Sequence, residues 1–131
     1  MDYDLKKESN GVVITLYGVI TGDGLRSLNF KIMADIDFKI WRYKIWDFSN
    51  AEKIDLSLGD LRSFTFQDSI AAGENPNVKI AIIPGHHQRS GLDDVFHLLS
   101  KHLDGYDSRS FRNVKSAKEW VTQEIKPIIT R

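Results

Sequence analysis

The residues able to do covalent chemistry are few and poorly grouped. Cysteine is absent, which removes thiolate catalysis, disulfides and any zinc site built on sulfur. The four histidines are His86, His87, His97 and His102. Adjacent imidazoles at 86 and 87 do not easily converge on one ion, and no His-Glu-x-x-His spacing occurs, so no metal is expected. His97 falls off the apolar stripe of its own segment, on a face that belongs to solvent. There is no Gly-x-Ser-x-Gly elbow, no Walker loop and no dinucleotide fingerprint. Thr21-Gly22-Asp23-Gly24 holds a Gly-x-Gly without the third glycine, and reads as a helix start. Asp47 ends an aromatic segment, where its carboxylate is placed to accept from nearby backbone amides. These residues imply neither an enzyme nor a cofactor.

Residues suited to binding are more telling. Ser57 precedes a helical stretch, where a serine caps exposed amides and where a phosphate would meet the positive helix end. His86, Arg89 and Ser90 lie in a polar loop after a strongly apolar segment. In open α/β sheets such loops, at the carboxyl ends of strands, are where ligands sit, and these three side chains suit an anion. Phe66 and Ile70 stand one turn apart, off the main apolar side of their helix. They read either as ordinary core of a sheet covered on both faces or as a partner surface, a self-association surface or an apolar cavity, because soluble monomers rarely expose large apolar patches. The aromatic segment with Trp41, Tyr43, Trp46 and Phe48 is a candidate wall for such a cavity.

The elements that must position these residues follow from patterning. The chain has 131 residues, enough for one domain with a sizeable core. Hydrophobic residues make up 41% and charged residues 27%, as in ordinary globular proteins. Lys+Arg and Asp+Glu are equal at 18 each, so neither nucleic acid nor an anionic membrane is favoured as a partner. No apolar run approaches the roughly 18 residues of a membrane span, and residues 1–10 carry no signal core. A cytoplasmic location is expected.

Residues 1–10 alternate as an edge strand, and Asn10-Gly11 marks a hairpin turn. Residues 11–20 are apolar on both sides, Val12, Ile14 and Leu16 against Val13, Tyr17 and Val19, as in a strand covered on two faces. Thr21 caps an amphipathic helix with Leu25, Leu28, Ile32 and Ile36 at helical spacing, widened by Phe30 and Met33. Residues 41–48 read as a strand. Ser57 or Asp55 caps a helix running to about Gly73, with Leu58, Leu61, Phe64 and Ala72 on its apolar side. Residues 78–83 form a buried strand ended by Pro84-Gly85. Leu92, Val95, Phe96, Leu99 and Leu103 mark a third helix, residues 108–114 a short strand, and Ala117, Trp120, Val121 and Ile125 a last helix. Ser116 and Glu119 have the spacing of a capping box there, and Pro127 stops the helix. The order β-β-α-β-α-β-α-β-α demands an α/β layered fold. It is expected to be a mixed, mostly parallel sheet of five strands with four helices, the first strand antiparallel at the edge. Residues 1–126 are expected to form a single domain and 127–131 a short tail.

This order, with its motifs, resembles the STAS (anti-sigma-factor-antagonist-like) superfamily. The motifs are Tyr17-Gly18-Val19-Ile20-Thr21 before the first helix, Ile45-Trp46-Asp47-Phe48-Ser49-Asn50-Ala51, Asp55-Leu56-Ser57 at a helix start, and the strand 79–83. The ending Ser110-Phe111-Arg112-Asn113-Val114, followed by Ala117, Glu119 and Trp120, is similar to that of small stand-alone bacterial STAS-like proteins. The resemblance covers about residues 1–125. It implies a regulatory or binding domain without catalysis, acting through a protein partner or a second copy, as in a homodimer. By likeness to lipid carriers of related architecture, the alternative is a binder of a small apolar or lipid-like molecule. In antagonists of this superfamily a serine at the second helix is phosphorylated, within an Asp-Ser-Ser-Gly pattern. Asp55 and Ser57 match that pattern, with Ser57 at the phospho-acceptor place. Leu56 and Leu58 depart from it.

Overall fold

A computed structural model describes residues 1–86 and 107–123. The element order is β1 (Asp2–Lys7), β2 (Gly11–Thr21), α1 (Gly22–Met33), a 3-10 turn (Phe38–Ile40), β3 (Tyr43–Asp47), β4 (Ala51–Asp55), α2 (Leu58–Glu74), β5 (Lys79–Ile83), β6 (Asp107–Ser110) and α3 (Val114–Gln123). The sheet order is β1-β2-β3-β5-β6, with β4 also paired to β2. Among the described strands only β1 is antiparallel to its neighbour, and the other pairings are parallel. The α/β layered architecture and the antiparallel first strand agree with the sequence pattern. The segment expected to form a helix around Leu92–Leu103 in the pattern, residues 92–103, lies outside the described residues, as do Arg89, Ser90, His97, His102 and the tail.

The sheet has six strands rather than five, and β4 is the addition. Residues 11–15 of β2 pair with β3 and residues 18–21 pair with β4, so β3 and β4 flank one long strand in succession. The break between them is built by Asp47, whose carboxylate accepts from the Ser49 amide (2.9 Å) and hydroxyl (2.6 Å). Gly18, at φ 77°, takes up the matching irregularity in β2. Alternation in the run Ala51-Glu52-Lys53-Ile54-Asp55 is hidden by its charges, because β4 buries only Ala51 fully.

Two cores sit on the two faces of the sheet. Val12, Ile14, Leu16 and Ile20 of β2 meet Leu25, Leu28 and Ile32 of α1 and Leu61, Phe64 and Ala71 of α2. On the other face Val13, Tyr43, Ile45, Ala81 and Ile83 meet Ala117, Trp120 and Val121 of α3. This two-sided cover explains why β2 carries no polar alternation in its first half. Past Thr15 the cover ends, and Tyr17 and Val19 are exposed.

Three local expectations change. Helix α1 stops at Met33, so Ile36 is not on its buried stripe but 91% exposed, and Phe30 is 68% exposed. Trp41, Tyr43, Trp46 and Phe48 are buried core rather than walls of a pocket: Trp41 packs edge-on to Phe38 and Trp46 to Phe64. Ser116 and Glu119 do not form the capping box, because α3 begins earlier. Asn113 accepts from the Ser116 amide (2.9 Å), which places Ser116 inside the first turn.

Candidate functional site

The N-terminal ends of α1 and α2 meet at one end of the sheet, where β2 and β4 deliver the chain. Thr21 Oγ1 accepts from the Gly24 amide at 3.1 Å and caps α1. Ser57 caps α2 through a reciprocal capping box: its hydroxyl accepts from the Asp60 amide, and the Asp60 carboxylate accepts from the Ser57 amide, both at 3.0 Å. Asp60 also joins the helices. Its other carboxylate oxygen takes a hydrogen bond from Arg26 Nη1 at 2.8 Å, while Arg26 Nη2 pairs with Asp23.

The approach is close enough that a Cβ at Gly22 would overlap the Asp60 carboxylate, so any side chain there requires Asp60 to move. The Ser57 amide and then the Arg26 guanidinium hold the Asp60 carboxyl below the usual carboxylate range. The site is therefore two positive helix ends neutralised by Asp23 and Asp60, with Ser57 exposed at the rim.

Along α2 from Ser57, the outward face carries Phe66 and Ile70, 59% and 54% exposed, with Leu58 also exposed in the first turn. Phe66 lies nine residues beyond Ser57, about 13 Å along the axis. Phe30, on α1, is a further exposed large apolar side chain. Helical geometry turns these residues outward because Leu61, Phe64 and Ala71 commit the opposite side of α2 to the sheet.

His86 is exposed just after β5. Nearby, Pro84, Ser110, Phe111 and Arg112 line a shallow depression at the carboxyl ends of β5 and β6. His86 is thus on a different element from Phe66 and Ile70, and nothing described joins them. Arg89 and Ser90, the other two residues of the expected anion site, lie outside the described residues. Among the described residues no group of three or more His, Asp or Glu side chains could hold a metal ion, and no helix is long and apolar enough to cross a membrane.

Beneath the helices lies a buried polar group that sequence reasoning passed over. Lys44 of β3 is fully buried, and its ammonium contacts Asp68 Oδ1 of α2 and Asn29 Oδ1 of α1, both at 3.3 Å. Asn29 Nδ2 in turn reaches Asp68 (3.4 Å) and Gln67 (3.3 Å). Burial pushes the Asp68 carboxyl up, against the opposing pull of Lys44 and Asn29. Its Oδ2 has no hydrogen-bond partner among the described residues. The signal was present: Asp68 falls on the stripe of Leu61 and Phe64, Asn29 on that of Leu25 and Ile32, and Lys44 shares a strand face with Trp46. Together these three residues fix how α1 sits against α2, and hence the meeting of their N-termini. Arg26 and Asp60 were missed too, although Ser57-x-x-Asp60 is a short form of the capping-box spacing.

The sequence matches no family model, and no curated protein matches it. Solved structures do. The chain is similar to the anti-sigma factor antagonist SpoIIAA in its unphosphorylated form, at 16% identity, covering 93% of this chain and 99% of that one, with a TM-score of 0.58. It is equally similar to a DUF3478-family protein with a SpoIIAA-like fold from Shewanella loihica PV-4. There the identity is 10%, with 92% of each chain covered and a TM-score of 0.59. The fold is therefore SpoIIAA-like, as the order of motifs implied.

Proposed function

We propose that this is a regulatory binding domain of STAS type, acting in the cytoplasm without catalysis by presenting the outer face of α2 and its capped N-terminus to a protein partner. The carrying observation is the pair Phe66 and Ile70, more than half exposed on a helix whose other side already fills the core. Side chains of this size contribute to binding when a partner removes them from water, and contribute little to the free chain. The likeness to an anti-sigma factor antagonist supports a regulatory role of this kind.

The test is a comparison of complexes formed in the host by the wild type and by Phe66→Ala with Ile70→Ala. The double variant is expected to keep its thermal stability within about 1 kcal/mol and to lose the specific complex. A stability loss of about 2–5 kcal/mol, the cost of emptying a core site, would return both residues to the core and remove this reading.

A second reading makes Ser57 a phospho-acceptor. It is supported by the exposure of Ser57 and by Arg26, two hydrogen bonds away through Asp60. A phosphate there would repel the Asp60 carboxylate, compete for Arg26 and open the capping box while gaining the amides of the first turn. Intact-mass measurement of protein from its host, with and without phosphatase, tests this. An anion at the depression beside His86 and Arg112, or a small apolar ligand against Phe111, is a weaker alternative. The aromatic strand that would have walled a larger cavity is occupied as core.

A further inference from the structure

The outer edge of β1 carries a pattern that the α2 surface does not explain. All six residues of β1 are exposed, and its register with β2 runs without a bulge from Asp2↔Tyr17 to Lys7↔Val12. The hairpin closes with the Glu8 amide donating to the Gly11 carbonyl at 2.8 Å, so Glu8 and Gly11 are a hydrogen-bonded pair. Hydrogen-bonded and non-hydrogen-bonded pairs alternate along an antiparallel ladder. Asp2, Asp4 and Lys6 therefore direct their backbone groups at β2. Tyr3, Leu5 and Lys7 direct theirs outward, and no described strand pairs with that edge. Natural sheets normally interrupt such an edge with proline, a bulge or scattered charge. Here the charge is not scattered: the first half of β1 is acidic and the second half basic.

We propose that β1 is a self-recognition edge, at which a second copy of this chain pairs antiparallel about a two-fold axis through Leu5. In that register Leu5 opposes its own counterpart, and Tyr3 opposes the Lys7 of the second copy. These are the residues with outward backbone groups, so the edge gains six main-chain hydrogen bonds. Asp4 opposes Lys6 in the closer, non-hydrogen-bonded pairs, twice by symmetry, which is the favourable cross-strand arrangement. Shifting the axis by one residue sets Asp4 against Asp4 or Lys6 against Lys6. Shifting it by two sets Asp2 against Asp4, or Lys7 against Lys7. Within β1 only the Leu5 register opposes no like charges; just beyond β1 it sets Asp2 opposite Glu8, whose carboxylate is already paired with Lys118.

On the face toward α1, Lys7 is held by Asp35 and Asp37, each at 2.9 Å. These bracket Ile36, the most exposed large apolar residue among those described. The Tyr3 ring of the second copy would arrive at this place. An isologous contact of this kind closes with two copies and does not propagate.

Sedimentation velocity over a concentration series, on the whole chain, tests this. The wild type is expected to show a monomer–dimer equilibrium. Asp4→Lys and Lys6→Asp should each weaken it about tenfold or more, and the two together should restore it. Leu5→Pro should give a folded monomer, since the amide it removes points away from β2. In the wild-type dimer the Leu5 amide should be protected from hydrogen exchange, and in the monomer it should exchange freely while the Asp4 amide stays protected. A wild type that is monomeric to its solubility limit overturns the proposal. So does a dimer indifferent to both charge variants, or one in which the combined swap is no better than either single change. If Leu5→Pro disturbs the hairpin, the charge-swap cycle decides alone. Association lost in Phe66→Ala with Ile70→Ala but kept in the β1 variants would assign self-association to α2 instead.

Discussion

Breaking the buried Lys44–Asp68 pair from one side should be far more costly than removing it whole. The ammonium and carboxylate are 3.3 Å apart, with side chains 0% and 3% exposed. At an effective dielectric of about 20 their gross attraction is about 5 kcal/mol, most of it offset by the loss of water around both ions. Lys44→Met leaves Asp68 buried without its cation, and Asp68→Leu leaves the buried Lys44 ammonium without that carboxylate. Each single change should destabilise by about 3–5 kcal/mol, which lowers the midpoint of thermal unfolding by about 10 °C or more.

The double variant should recover most of that loss, because neither ion is stranded and Asn29 Nδ2 still has Gln67. Urea unfolding of the four proteins gives the coupling, expected to exceed about 2 kcal/mol. The pH dependence carries the sign. In Lys44→Met the Asp68 carboxyl, already raised by burial, loses the pull of the ammonium. An acid whose folded pKa lies above its unfolded one contributes its stability below the unfolded value, and loses it as pH rises through the folded value. Lys44→Met should therefore regain stability on acidification. Single variants that each cost under about 1 kcal/mol and simply add would refute the reasoning.

Ser57→Ala should cost about 1 kcal/mol in chemical unfolding through loss of the α2 cap, and Ser57→Asp should keep most of it. Asp60→Asn should be less stable than the wild type at neutral pH. The gap should close as pH falls below the ordinary carboxylate range near about 4, because a carboxyl with a depressed pKa stabilises only while ionised. Gly22→Ala should displace Asp60 from the Ser57 amide, seen as faster exchange of the Ser57 and Asp60 amides, while Gly73→Ala, where a Cβ meets nothing, should not.

The local elements were decided within short stretches of chain. Two-sided apolarity in β2, the Thr21 cap and the run 79–83 each carry their structure in neighbouring residues, because hydrogen-bond closure and periodic burial act over a few positions; the hairpin was legible too, although its loop is Ser9-Asn10 and Gly11 already belongs to β2. Helical spacing put Phe66 and Ile70 about half a turn from Leu61 and Phe64 but left core or surface open; the packed layers leave them exposed. What the sequence could not determine depended on residues far apart. Whether Lys44 faces water or Asp68 is settled only when α2 lies across β3. Whether Asp60 completes a cap alone or also holds Arg26 depends on the approach of α1 at Gly22. The strand β4 was hidden because its pairing partner is the second half of β2, thirty-odd residues earlier, while its own side chains are mostly in water. Periodicity reports which face of an element is buried; the identity of what covers it is a property of the packed layers.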